Sequence, residues 1–159
     1  MDDHFTIRFI ERDEYRQAMD LCWRVFCQFE SGIFGREGME SFSRFINDED
    51  LYKVYLNGGF PVVAAYCGRN MIGVAALRSG PHLSLLFVEG CYQHMGVGRA
   101  LVNYCHNWLV SVFTGLGNEK LTVNASPVGA EFYHKIGFKD MGPGVKKDGI
   151  YYTPMEFYL

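Results

Sequence analysis

The chain has 159 residues, 48% hydrophobic and 21% charged. That is a globular composition, and the length suffices to bury roughly two-thirds of the unfolded surface in a single core, so one domain over residues 1–159 is expected. A formal charge of −3 argues against a nucleic-acid binder, which concentrates basic residues to release phosphate counterions, and no apolar run approaches the roughly 20 residues that span a bilayer.

In chain order, residues 5–10 alternate, with Thr6 and Arg8 as the polar members, and predict a first strand. Residues 13–29 set Tyr15, Ala18, Met19, Cys22, Val25, Phe26 and Phe29 on one helical face. Residues 30–35 (Glu-Ser-Gly-Ile-Phe-Gly) are expected to break that helix as a loop, before a second helix over 37–46 with Met39, Phe42, Phe45 and Ile46 inward. Residues 48–56 add a helical turn that Gly58-Gly59 ends. Two apolar, β-rich runs, 61–66 and 71–77, flank Cys67-Gly68-Arg69-Asn70, a hairpin signal, and Gly80-Pro81 turns the chain into a strand over 82–88.

The stretch 83–108 is the centre of the chain: an apolar strand, a glycine-containing bend, and a segment where Val97, Ala100, Leu101, Tyr104 and Trp108 recur at helical spacing. A helix starting at or just after Gly96 presents unpaired N–H groups and about half a positive charge, which suits phosphate oxygens. Gly96 and Gly98 allow close approach of the main chain, and Gln93 and Arg99 bracket the bend. No Walker string GxxxxGK[ST] occurs. The dinucleotide fingerprint G-x-G-x-x-G is weakened because Leu101 holds the third glycine's place, although Glu119 stands near the position of a ribose-binding acid.

Further on, Gly115 and Gly117 punctuate, and residues 120–123 form a short strand. Ser126-Pro127 is expected as an N-cap followed by a first helical proline, with Gly137 as a left-handed C-terminal cap. Residues 138–141 and 150–159 complete the sheet, 142–149 connect them, and Pro154 should lie at an edge or bulge.

The string from Gln93 to Gly98 has the form [Q/R]-x-x-G-x-[G/A], and residues 124–139 read NASPVGAEFYHKIGFK. In this order the two strings resemble the coenzyme A pyrophosphate loop and the later Phe-Tyr motif of the GNAT superfamily of N-acetyltransferases. The resemblance implies an α/β GNAT fold: a mixed central sheet of six to seven strands with a splayed parallel pair, flanked by about four helices. It implies acetyl-CoA as acyl donor and a small-molecule or peptide amine as acceptor, with residues 30–35 facing that acceptor. Cofactor contacts would fall on Gln93, His94, Met95, Gly96, Val97, Gly98, Arg99 and Ser126, and on the main chain of Phe87 and Val88. Gly90, His94 and Ser126 depart from the residues frequent at those places in the family, which puts side-chain contacts in question more than the amides of the loop.

Transfer to an amine by direct attack needs a proton donor for the leaving thiolate and a base for the ammonium. Tyr133, at the motif's tyrosine, is the expected general acid, and Glu30 and Glu89 are the candidate bases. His94 and His134 are expected to be structural or cofactor-contacting. A non-catalytic acyl-CoA sensor on the same scaffold would keep Gly96 and Gly98 without needing Tyr133. Five cysteines, at 22, 27, 67, 91 and 105, show no C-x-x-C spacing. They suggest free thiols and no metal, in a reducing cytoplasm. The acidic opening Met1-Asp2-Asp3 has no basic segment of a signal peptide. A homodimer is compatible with this reading.

Overall fold

The computed structural model describes residues 4–112 and 120–158, so Gly115, Gly117 and Glu119 lie outside the described residues. The elements run β1 (Thr6–Phe9), α1 (Tyr15–Ile46), α2 (Glu49–Leu56), β2 (Val62–Cys67), β3 (Asn70–Arg78), β4 (His82–Val88), α3 (Val97–Val112), β5 (Lys120–Ala125), α4 (Ala130–Ile136), β6 (Lys139–Asp140), β7 (Val145–Lys147) and β8 (Ile150–Tyr158). Eight strands form a mostly antiparallel sheet in the order β1-β2-β3-β4-β5-β8-β6, with β7 paired to β8.

Strand periodicity divides the apolar residues between two cores, one on each face. Val62, Ala64, Val74, Ala76 and Leu85 meet α1 through Ala18, Met19, Cys22 and Val25. Val63, Ala65, Ala75, Leu77 and Leu83 meet α3 through Val97, Leu101, Cys105 and Leu109. The sheet is therefore the middle of three layers. None of the described helices is long and apolar enough to cross a membrane.

β4 and β5 are parallel, but only His82 opposite Thr122 and Leu83 opposite Val123 are in register. Beyond that step β4 continues to Val88 along β3, while β5 continues to Ala125 along β8. The two halves of the sheet thus part company, leaving a wedge whose walls are main chain.

The expected loop at residues 30–35 is replaced by helix. α1 is interrupted at a single residue, Gly35, with φ 63° and ψ −165°. Phe34, buried and stacked on Phe26 and Tyr151, holds the last turn before that kink, so packing overrides the weak helix propensity of Gly32. Phe29, expected inward, is 36% exposed.

The segment 142–149 is more than a connection. Val145, Lys146 and Lys147 pair with Tyr152, Tyr151 and Ile150, and Asp148-Gly149, both with positive φ, make the two-residue turn. Pro154 is not at an outer edge: it stands opposite Asn124 of β5 within β8. Its carbonyl accepts from the Met141 amide at 2.8 Å, so the missing N–H points to the edge shared by β6 and β7. It falls there between the β7 pairing, which ends at Tyr152, and the β6 pairing, which begins at Met155, where no ladder bond is lost.

The β7–β8 turn seats on α1 just past the kink, where the Ser41 hydroxyl donates to the Asp148 carbonyl at 2.7 Å. A Cβ on Gly149 would lie 2.6 Å from the Gly38 nitrogen, at a φ of +79°. Gly149→Ala is therefore expected to destabilise the protein by about 2 kcal/mol or more in denaturant titration. Gly142→Ala, whose Cβ would meet nothing within 4 Å, should stay within about 0.5 kcal/mol of the parent.

Candidate active site

The wedge opens into a cavity of about 720 Å³ that reaches both faces of the sheet. Its two ends differ in chemistry. On the α3 and α4 side the lining includes His94, Gly96, Gly98, Arg99, Ser126 and Tyr133. On the α1 side it is aromatic, with Phe26, Phe34, Phe42, Phe45, Phe87 and Tyr151.

At the first end the chain leaves β4 through a short 3-10 turn (Gly90–Tyr92) and enters α3 at Val97. The Ala100 amide reaches back to the Gly96 carbonyl at 3.0 Å. This leaves the amides of Val97, Gly98 and Arg99 ahead of the helical ladder, at the positive end of a 16-residue helix. Gly96 has φ +86°, and a Cβ on Gly98 would stand 3.2 Å from the Phe132 ring. His94, in a position where glycine is frequent in the resembled family, also has a positive φ of 62°. Gln93 is turned inward, its side-chain nitrogen donating to the Val88 carbonyl at 2.9 Å, which ties the loop to the end of β4. The Met95 side chain is 37% exposed and the Val97 side chain lies in the core, so neither lines the cavity and each has only its main chain to offer there.

The Glu89 amide donates to the Ile72 carbonyl at 2.9 Å. By strand alternation Phe87 likewise turns its main chain to β3, whereas Leu86 and Val88 turn theirs to the wedge. Of the two residues expected to pair main chain with a ligand arm, Val88 is so placed, and Phe87 contributes its ring instead.

Ser126 follows β5 and begins a turn in which its hydroxyl accepts from the Gly129 amide at 3.2 Å. The helix it prepares starts only at Ala130, three residues after Pro127. Gly137 closes it in the left-handed conformation, as expected. Tyr133, on this helix, is buried between Phe132 and Phe138 and lines the cavity. Burial first, and the charge of Glu30 second, push the phenol well above its ordinary pKa.

Glu30 reaches the same cavity from α1 although it is only 8% exposed. Burial raises its carboxyl pKa, an effect that a hydrogen bond from Ser126 opposes. Glu30, Ser126 and Tyr133, separated by about a hundred residues of chain, are thereby brought together. Glu89 is not with them: it is ion-paired to Arg24 outside the cavity lining, so its carboxylate is already engaged. His134 is also apart, its ring nitrogen 2.6 Å from Asp140 at the surface.

Three features of the site escaped sequence reasoning. Phe132 closes against Gly98, His82 meets the Thr122 hydroxyl at 2.9 Å where the strands part, and the aromatic end gathers rings from α1, β4 and β8. The only signal for the last was the 16% aromatic content. All five cysteines are free, with Cys22 and Cys105 buried in the two cores. Among the described residues no cluster of His, Cys, Asp and Glu could hold a metal ion.

A family model described as an acetyltransferase (GNAT) domain matches residues 31–159. The structure is similar to a GCN5-related N-acetyltransferase from Rhodopseudomonas palustris, with TM-score 0.82 and 22% identity over 100% of this chain and 98% of that one. It is also similar to the PaiA N-acetyltransferase of Thermoplasma acidophilum in complex with coenzyme A (0.78, 18%, covering 98% and 99%). The spermidine N-acetyltransferase of Vibrio cholerae in complex with CoA and spermine is more distant (0.65, 20%, covering 98% and 96%). No curated protein matches in sequence.

Burial of Glu30 carries a pH signature. A carboxyl whose folded pKa is raised favours folding below the unfolded value near 4.3, and that contribution is lost as pH rises through the folded value. Glu30→Gln should therefore gain thermal stability over the parent as pH goes from 4 to 8. A difference in Tm that stays flat across that range would contradict a buried, charge-penalised carboxyl.

Proposed function

Because the chain belongs to the GNAT acetyltransferase domain family, we propose that it moves the acetyl group of acetyl-CoA to a primary amine by direct attack. The observation that carries the reading is the convergence of Glu30 and Tyr133 on one cavity that the N-terminus of α3 also lines.

The residues present fit the donor. The leading amides of α3 hold its diphosphate, Arg99 adds a charge at the rim, and Gly98 keeps a side chain out of the narrow space against Phe132. The wedge edge of β4 offers the Leu86 and Val88 main chain to a pantetheine arm lying as an added strand. Acetyl-CoA supplies the activated thioester; the protein's work is to position it and to move protons.

An alkylammonium acceptor has a pKa near 10.4 and must lose a proton before it attacks. Glu30 is the base: its raised pKa brings the carboxylate closer to neutral, where proton transfer is most effective. As the amine nitrogen bonds to the acetyl carbon and the carbon–sulfur bond breaks, the Tyr133 hydroxyl donates its proton to the sulfur, and the proton that the nitrogen then sheds to become an amide restores the phenol. A wedge-facing amide of β4 that points at the carbonyl oxygen contributes on the order of 3 kcal/mol to the transition state. The phenol is fully protonated at neutral pH because burial and the Glu30 carboxylate both oppose its ionisation.

Thiol release from acetyl-CoA across a panel of amines tests this. Tyr133→Phe is expected to lower kcat by about 10²-fold or more, with Kd for CoA unchanged within about twofold. A kcat that does not respond to loss of this hydroxyl would remove Tyr133 as the acid. CoA binding with no turnover of any amine would instead identify a non-catalytic acyl-CoA sensor.

A further inference from the structure

The acceptor end of the cavity has a composition that selects among amines. We infer that the acceptor is a monoamine carrying an aromatic ring, of the 2-phenylethylamine type, and not a polyamine; this deepens the acetyl-transfer reading and rests on it.

Glu30 is the one carboxylate among the described residues that line the cavity. It is needed by the nitrogen that is acetylated, so a second or third ammonium on the same substrate would find no anionic partner. The cation on the acceptor side is Arg78, whose guanidinium lies 5.5 Å from the centroid of the Phe45 ring and repels a distal positive charge. Charge alone therefore disfavours a polycation there.

Aromatic rings hold cations when their faces are open, and here faces are already taken: Arg78 lies over Phe45, and Lys146 lies over Tyr151 at 4.9 Å from its centroid. Phe26 is covered on its faces by Phe42, at 4.2 Å between centroids, and by Phe34, at 5.6 Å. Phe34 is in turn stacked near Tyr151, and Phe42 meets Phe87 at 5.5 Å. For Phe26, Phe34 and Phe42 stacking uses up the electron-rich faces and leaves ring edges, which carry the positive end of the quadrupole and favour the face of another aromatic ring. A substrate ring presented to these edges gains edge-to-face contact and buries its surface. A cavity of about 720 Å³ leaves room for such a ring beside the end of a pantetheine arm.

Trp23, stacked with Phe26 and Phe42 at 6.3 Å each, sits behind this wall and reports on it. Of the two tryptophans the other is Trp108, so Trp108→Phe leaves Trp23 as the sole indole emitter. In that background, 2-phenylethylamine and spermidine are titrated into the CoA complex while Trp23 fluorescence is recorded. In parallel, kcat/KM for both amines is measured by thiol release from acetyl-CoA.

The expected result is saturable quenching by 2-phenylethylamine, with kcat/KM at least about tenfold above that for spermidine. Phe42→Leu should raise KM for 2-phenylethylamine several-fold and leave KM for acetyl-CoA unchanged. Spermidine turned over as well as or better than 2-phenylethylamine would overturn the inference while the acetyltransferase reading stands. Saturable binding of the aryl amine without thiol release would overturn the catalytic reading and uphold the chemistry assigned to the pocket. Neither binding nor turnover of the aryl amine would overturn the inference outright.

Discussion

The structure depends on one interruption of backbone pairing. β4 and β5 share two register pairs and then separate, although each remains paired on its other side, with one irregularity in β4 at Ser84. In a continuous sheet the main-chain groups of Leu86 and Val88 would be spent on a neighbouring strand. Here the carbonyl of Val88 is met by the Gln93 side chain, and the rest of that edge faces a cavity. Main-chain donors and acceptors kept from water carry a penalty unless something pairs with them. An extended ligand arm with amides of its own is the complement that such an edge selects.

The two sequence strings that first pointed to a coenzyme A site turn out to be one packing unit. Gly98, at the start of α3, lacks a Cβ where the Phe132 ring arrives from α4, and Phe132 is edge-on to Tyr133. The start of α3 and the phenol are thus held in a fixed relation by direct contact, with no loop in between. From the opposite layer α1 brings Glu30, and its charge is felt by that same phenol. Glu30, Tyr133 and the start of α3 meet because three layers converge on the place where the middle layer is open.

Much of this was legible in the residues. The apolar, β-rich runs of β2 and β3 around their turn, the helical spacing of Val97, Leu101 and Trp108, and the cap at Gly137 are local signals that act over a few residues. The misreadings came where distant parts of the chain decide the outcome. Ser31-Gly32 looks like a helix break, yet Phe34 is stacked between α1 and β8, and that contact keeps the turn helical to Gly35. Pro154 is tolerated inside β8 because its two partners on one edge leave a step between them, a property of pairing that no local pattern encodes. Asp148-Gly149 is different: these two residues are themselves a local signal for a tight hairpin.

Glu30 and Glu89 were equivalent carboxylates in the sequence, and the fold separates them, one sealed in the cavity beside Tyr133 and the other neutralised by Arg24. The most direct test of the account is a titration of the ¹⁵N-labelled protein with CoA, following backbone amide resonances. The account predicts the largest shifts at Val97, Gly98 and Arg99 and at the wedge-facing amides of Leu86 and Val88. Saturable CoA binding that leaves those five amides unmoved, with the shifts elsewhere, would contradict it.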